Sequence, residues 1–121
     1  MNKTDKKKRV LVVDDHRQVL TFIQLDLKLR GYNVMTATSG EEALEKIKRE
    51  KPDIILLDIL MPGMSGLDVL DALRPYSKVP VIAFSASPEN QAQAIRSGAN
   101  LFINKPFDPD EMAKKIGELV G

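Results

Sequence analysis

The chain has no cysteine and no tryptophan, a single histidine, and only four phenylalanines and two tyrosines in 121 residues. Without cysteine there is neither a disulfide nor a thiolate metal site, which fits a reducing, cytoplasmic compartment. An excess of one charge is missing too. The 18 basic and 17 acidic residues leave a net charge of +1, so no global field draws nucleic acid, a membrane surface or another polyanion. There is no apolar stretch long enough for a signal peptide or a membrane span, and the start, Met1 to Arg9, is polar and lysine-rich. Residues 1–8 are read as a basic solvated tail, with the Lys6 to Arg9 run part of that solvated end, and residues 9–121 as one domain. At 43% hydrophobic and 29% charged, a domain of this length buries roughly two thirds of its unfolded surface. No linker, repeat or low-complexity stretch follows the last predicted helix, so the expected output is exerted in trans.

What is present is a series of short apolar runs that do not alternate, the pattern of strands buried on both faces of a parallel sheet. The five runs are Val10 to Val13, Val34 to Thr38, Ile54 to Leu57, Val79 to Phe84 and Leu101 to Ile103. Segments with helix start and stop signals follow each, which predicts an α/β fold of (βα)5 type with helices on both faces of a five-stranded parallel sheet. The first helix is predicted over Arg17 to Arg30 and closed by Gly31. Leu25, Leu27 and Leu29 alternate with charged residues there, but Val19, Leu20, Ile23 and Leu27 keep helical spacing and the length favours a helix. Ser39 with Glu42 forms a capping box for a helix that buries Ala43, Leu44 and Ile47 and ends before Pro52. A third helix carries Leu67, Leu70 and Leu73 and is stopped by Pro75. The fourth has Ser87 as N-cap and Pro88 at its first position, with only Ala92, Ala94 and Ile95 to bury, so it is the least anchored and the one expected to move. The last starts at Asp108, with Pro109 next and Glu111 three residues on, and buries Met112, Ile116, Leu119 and Val120.

In open parallel sheets ligands bind at the carboxyl ends of the strands. Here those ends read Asp14 and Asp15, Asp58, Ser85, and, after Asn104, Lys105. An Asp at any one strand end is common as a helix cap, but this set at four of five ends is hard to obtain from capping alone. Three carboxylates at one edge in a low dielectric either raise a pKa or demand a cation. Oxygen ligands favour Mg²⁺, which takes only one or two carboxylates from the protein.

Four segments carry a family resemblance: VLVVDDH at 10–16, PDIILLDILMPGMSG at 52–66, VIAFSA at 81–86 and INKPF at 103–107. Over Arg9 to Gly121 the chain resembles the response-regulator receiver domains of two-component signalling, of which the chemotaxis regulator is the best-known example. The resemblance implies a flavodoxin-like sheet in strand order 2-1-3-4-5. It implies that Asp58 is the phosphorylated nucleophile, that Asp15, Asp58 and the Leu60 backbone carbonyl hold Mg²⁺ directly, and that Asp14 holds a metal-bound water. Lys105 then neutralises charge on the phosphoryl oxygens and Ser85 donates its hydroxyl to them, while the Lys105–Pro106 peptide is implied to be cis. The implied phosphodonor is a sensor histidine kinase or a phosphotransfer protein. Such a domain is no conventional turnover enzyme; it catalyses its own phosphorylation and dephosphorylation, and signals by a shift of conformation.

This chain departs from the family's pattern at three places. Phe102 stands where many relatives have Tyr, so an aromatic switch would lack a hydroxyl. Leu60 and Ser87 flank the path of the hydrolytic water and are expected to tune dephosphorylation. His16, after the acidic pair, is read as a surface residue at the helix start with no ligand role. The expected output surface is the fourth helix, fifth strand and fifth helix, contacting a protein and not nucleic acid or membrane. A flavin-binding protein would need a hydroxyl- or glycine-rich loop after strand one, where Asp14 and Asp15 would repel phosphate. A nicotinamide domain would need G-x-G-x-x-G there. An Mg²⁺-dependent phosphohydrolase of the dehalogenase type would place its nucleophile after strand one with a second Asp two residues on. The remaining alternative within the family is the receiver fragment of a longer regulator or hybrid kinase.

Overall fold

The computed structural model describes residues 7–121. The basic tail read over residues 1–8 therefore lies, up to residue 6, outside the described residues. Ten elements follow in strict alternation: β1 Arg9–Val13, α1 Arg17–Leu29, β2 Asn33–Ala37, α2 Gly40–Glu50, β3 Ile54–Asp58, α3 Gly66–Leu73, β4 Val81–Ser85, α4 Asn90–Arg96, β5 Leu101–Asn104 and α5 Pro109–Val120. All strand pairs are parallel and the order is β2-β1-β3-β4-β5. Among the described residues no helix is long and apolar enough to cross a membrane.

Because successive side chains on a strand point to opposite faces, each apolar run feeds two cores. Leu11, Val13, Ile55, Leu57, Val81 and Ala83 pack against α2, α3 and the single buried residue of α4, Ala94. Val10, Val12, Ile54, Leu56, Ile82 and Phe84 pack against Leu20, Ile23 and Leu27 of α1 and Met112 and Ile116 of α5. The helical period wins in α1, since Leu27 is buried while Leu25 and Leu29 are exposed.

Local signals set most boundaries. Gly31, with φ +100°, ends α1 in a Schellman arrangement: its N–H donates to the Lys28 carbonyl and that of Tyr32 to the Leu27 carbonyl. Four expectations are corrected. β2 is shifted one residue toward the N-terminus, because the Thr38 N–H donates at 2.8 Å to Glu42 Oε1 and leaves the ladder. The capping box at Ser39 is accordingly half formed: Ser39 Oγ accepts from the Glu42 N–H, but the Glu42 carboxylate serves Thr38 and not Ser39. β4 begins at Val81 instead of Val79, since Pro80 has no N–H to give the ladder. Regular α4 begins at Asn90, not at Pro88; residues 87–90 form a tight turn with the Asn90 N–H on the Ser87 carbonyl, and Ala92 and Ile95 remain exposed. The N-terminus of α3 has a full capping box, Ser65 with Asp68. Gly66 is forced by packing there, for a Cβ would lie 2.4 Å from the Asp58 carbonyl oxygen.

Candidate functional site

Parallel topology puts the ends of β1, β3, β4 and β5 on one rim, so Asp14, Asp15, Asp58, Ser85 and Lys105 arrive together. Asp58 ends the central strand β3 and is 2% exposed. Its Oδ1 lies 3.6 Å from Lys105 Nζ and accepts the Leu60 N–H at 3.4 Å. Its Oδ2 is buried without a hydrogen-bond partner. Asp14 is fully buried; Oδ2 accepts from Lys105 Nζ at 3.1 Å and Oδ1 from the His16 N–H at 2.9 Å. Asp15 Oδ1 is the second buried carboxylate oxygen with no hydrogen bond, although His16 Nδ1 lies 3.4 Å away. One ligand atom each from Asp14, Asp15, His16 and Asp58 falls within 4.8 Å of all the others.

The electrostatics follow from this crowding. Burial pushes the Asp58 carboxyl up from its ordinary 3.8 to about 6; the Asp14 charge, and to a lesser degree that of Asp15, adds to the rise, while Lys105 and the Leu60 N–H oppose it. Three carboxylates against one ammonium leave an excess of two negative charges, and two of the buried oxygens are orphaned, which is costly for a closed fold without a cation. The donor set fits a divalent ion with oxygen preference. Besides its bond to Asp14, Lys105 is held by the Phe84 ring, whose centroid lies 5.0 Å from its ammonium, and by its backbone N–H, which donates to the Ser85 carbonyl at 2.8 Å; the Lys105–Pro106 peptide is cis.

Ser85 is fully buried, and its Oγ accepts from the Ser87 N–H at 3.1 Å and from Asn90 Nδ2 at 3.0 Å. Its own hydroxyl proton is thus free to be aimed elsewhere. Asn90 is the residue that sequence reasoning missed. It is the first residue of α4, and through it the strand-end hydroxyl grips the helix directly. No local pattern announces a side-chain pair five residues apart across a turn. Phe84 was counted only as strand, and its role as the platform under Lys105 likewise depends on tertiary placement. Phe102 is half-buried and packs with the core on the α2, α3 and α4 side. Leu60 is 52% exposed at the mouth of the site and Ser87 is half-buried.

A family model described as the response regulator receiver domain matches residues 10–117. The chain belongs to that family. The fold neighbours agree with this assignment. The receiver domain of the Francisella response regulator 1452 superposes with a TM-score of 0.89 at 33% identity, over 94% of this chain and 97% of that one. Vibrio cholerae chemotaxis protein CheY4 gives 0.88 at 31% identity, over 94% and 99%. Among curated proteins, the transcriptional regulatory protein KdpE of Mycobacterium tuberculosis is 40% identical over 109 residues, 88% of this receiver and 48% of KdpE. The chain spans about half the length of the curated relatives it matches. Receiver domains of this family generally bind Mg²⁺ at an acidic pocket and interact with histidine kinases or phosphotransfer proteins; this receiver has the acidic group.

Proposed function

We propose that Asp58 is the phosphoacceptor, taking a phosphoryl group from a histidine kinase or phosphotransfer protein. The observation that carries this is the orphaned Oδ2 of a buried carboxylate, facing a group of like charges with an ammonium 3.6 Å from its other oxygen. Oδ2 attacks phosphorus while the bond from phosphorus to the donor's imidazole nitrogen breaks, and that nitrogen leaves with the electron pair. Lys105 offsets charge on the phosphoryl oxygens, and the Ser85 hydroxyl donates to one of them. Asp15, Asp58 and the Leu60 carbonyl would hold Mg²⁺, with Asp14 acting through water; the bound ion supplies charge neutralisation across both carboxylates and the phosphoryl group. Intact mass after incubation with acetyl phosphate and Mg²⁺ tests this. One acid-labile phosphoryl group that is absent from Asp58→Ala and from a chelated control is the expected result; uptake by Asp58→Ala refutes the assignment.

Conformational output is assigned to α4, β5 and α5. The support is the bond that Asn90 Nδ2 donates to Ser85 Oγ: a hydroxyl drawn toward the phosphoryl group moves the oxygen that holds the start of α4, a helix with one buried side chain. Decay of the phosphoryl group is tuned by Leu60 and Ser87, and an apolar Leu60 orients hydrolytic water poorly, which makes the phosphorylated form long-lived. A fast decay that Leu60→Asn leaves unchanged removes that role. The length of the curated relatives favours a second reading, in which this is the receiver of a longer transcriptional regulator. Immunodetection in cell extract separates the two, since the chain alone weighs 13.5 kDa.

A further inference from the structure

We propose that His16 is a metal ligand of this receiver, so that its site favours a divalent transition cation with nitrogen affinity, such as Co²⁺ or Ni²⁺, over Mg²⁺. The inference rests on the reading that the acidic group holds a divalent cation. His16 occupies the N-cap position of α1 but makes no side-chain cap bond, so its ring is not spent on the helix. Although the side chain is 66% exposed, the ring turns back over the rim: Nδ1 stands 3.2 Å from Asp14 Oδ1 and 3.4 Å from Asp15 Oδ1. With metal–ligand bonds of about 2.1 Å, ligands on adjacent vertices of an octahedron lie about 3 Å apart. The spacing to Asp15 Oδ1, a direct ligand in that reading, is close to that value. The ring also hydrogen-bonds Asp14 Oδ1, which accepts the His16 N–H as well. That bond leaves Asp15 Oδ1 buried and without a hydrogen bond 3.4 Å from the ring nitrogen.

The chemistry separates cations by softness. Mg²⁺ is satisfied by oxygen and water and gains little from an imidazole, whereas the later first-row ions bind nitrogen strongly. Adding His16 to Asp15, Asp58 and the Leu60 carbonyl therefore turns an oxygen site into a mixed one. The sequence makes the test clean: His16 is the only histidine and there is no cysteine, so in untagged protein an imidazole signal has one source.

The experiment measures Ni²⁺ and Mg²⁺ affinities by calorimetry for untagged wild type, His16→Ala, His16→Asn and Asp58→Asn, with pulsed electron paramagnetic resonance of the Mn²⁺-loaded forms. His16→Asn keeps a favourable helix cap and an oxygen donor while removing the ring. The expected result is a Ni²⁺ to Mg²⁺ affinity ratio that falls about 10-fold or more in both His16 variants. A nitrogen-14 coupling on Mn²⁺ is expected in wild type and in neither variant. An unchanged ratio, or no nitrogen coupling in wild type, overturns the role of His16 while leaving the oxygen site standing if Mg²⁺ still binds. Ni²⁺ affinity that survives Asp58→Asn in full also overturns it, because the ion then sits on the exposed ring alone. Absence of binding by either metal overturns both the site reading and the role of His16.

Discussion

Helices α3 and α4 follow the two strands that end in site residues, β3 with Asp58 and β4 with Ser85, yet they are fastened in opposite ways. α3 starts with a complete capping box, lodges Gly66 against the Asp58 carbonyl and buries Val69, Leu70 and Leu73. α4 has no side-chain cap, begins after a tight turn and buries Ala94 alone, while Ile95 is 43% exposed. One helix is a wall behind Asp58. The other is tied to the site chiefly by the Asn90 to Ser85 bond. The output route proposed above, through Ser85 into α4, therefore leads into the more weakly fastened of the two helices.

Substitutions sharpen that contrast. Leu70→Ala in α3 is expected to cost about 2–5 kcal/mol in chemical denaturation, because the site is closed on every side. Ile95→Ala, at the exposed neighbour of Ala94 in α4, is expected to stay within about 0.5 kcal/mol; a large loss there would mean that α4 is anchored after all. Asp58 itself contributes with the opposite sign from a paired carboxylate. Its raised pKa means that the metal-free native state holds a proton the unfolded chain has released, so stability from this group is full below 3.8 and is lost as the pH rises through about 6. In chelator, the stability of wild type relative to Asp58→Asn should fall by about 2 kcal/mol between pH 4 and pH 7. Taking the difference removes the contribution of Glu42, which the Thr38 N–H holds below its ordinary range. Ser65→Ala, which deletes the α3 cap, is expected to cost about 1 kcal/mol. Asn90→Ala should cost less than about 1 kcal/mol, yet raise amide exchange in α4 before any phosphorylation.

Much of this was legible in the residues. Non-alternating runs marked five strands because both faces of the sheet are covered, and the strand ends displayed the candidate site because parallel strands all finish on one rim. What escaped was set by competition between neighbours. The turn signal Ser87-Pro88 opens a tight i→i+3 turn instead of a regular α-helix, with the Asn90 N–H on the Ser87 carbonyl and the Gln91 N–H on the Pro88 carbonyl. The capping box at Ser65 and Asp68 has its three-residue spacing in plain sight in the sequence. The burial of Asp14 and the orphaned oxygens of Asp15 and Asp58 emerge only when three strand ends converge, which no window along the chain can display.

The difference between the two helices is tested most directly by amide exchange on the receiver with and without phosphorylation of Asp58. Exchange at residues 87–96 should change on phosphorylation while that of Gly66–Leu73 stays the same, and Asn90→Ala should shrink the difference. Equal changes in both helices, or none in α4 on fully phosphorylated protein, would contradict the route from Ser85 through Asn90.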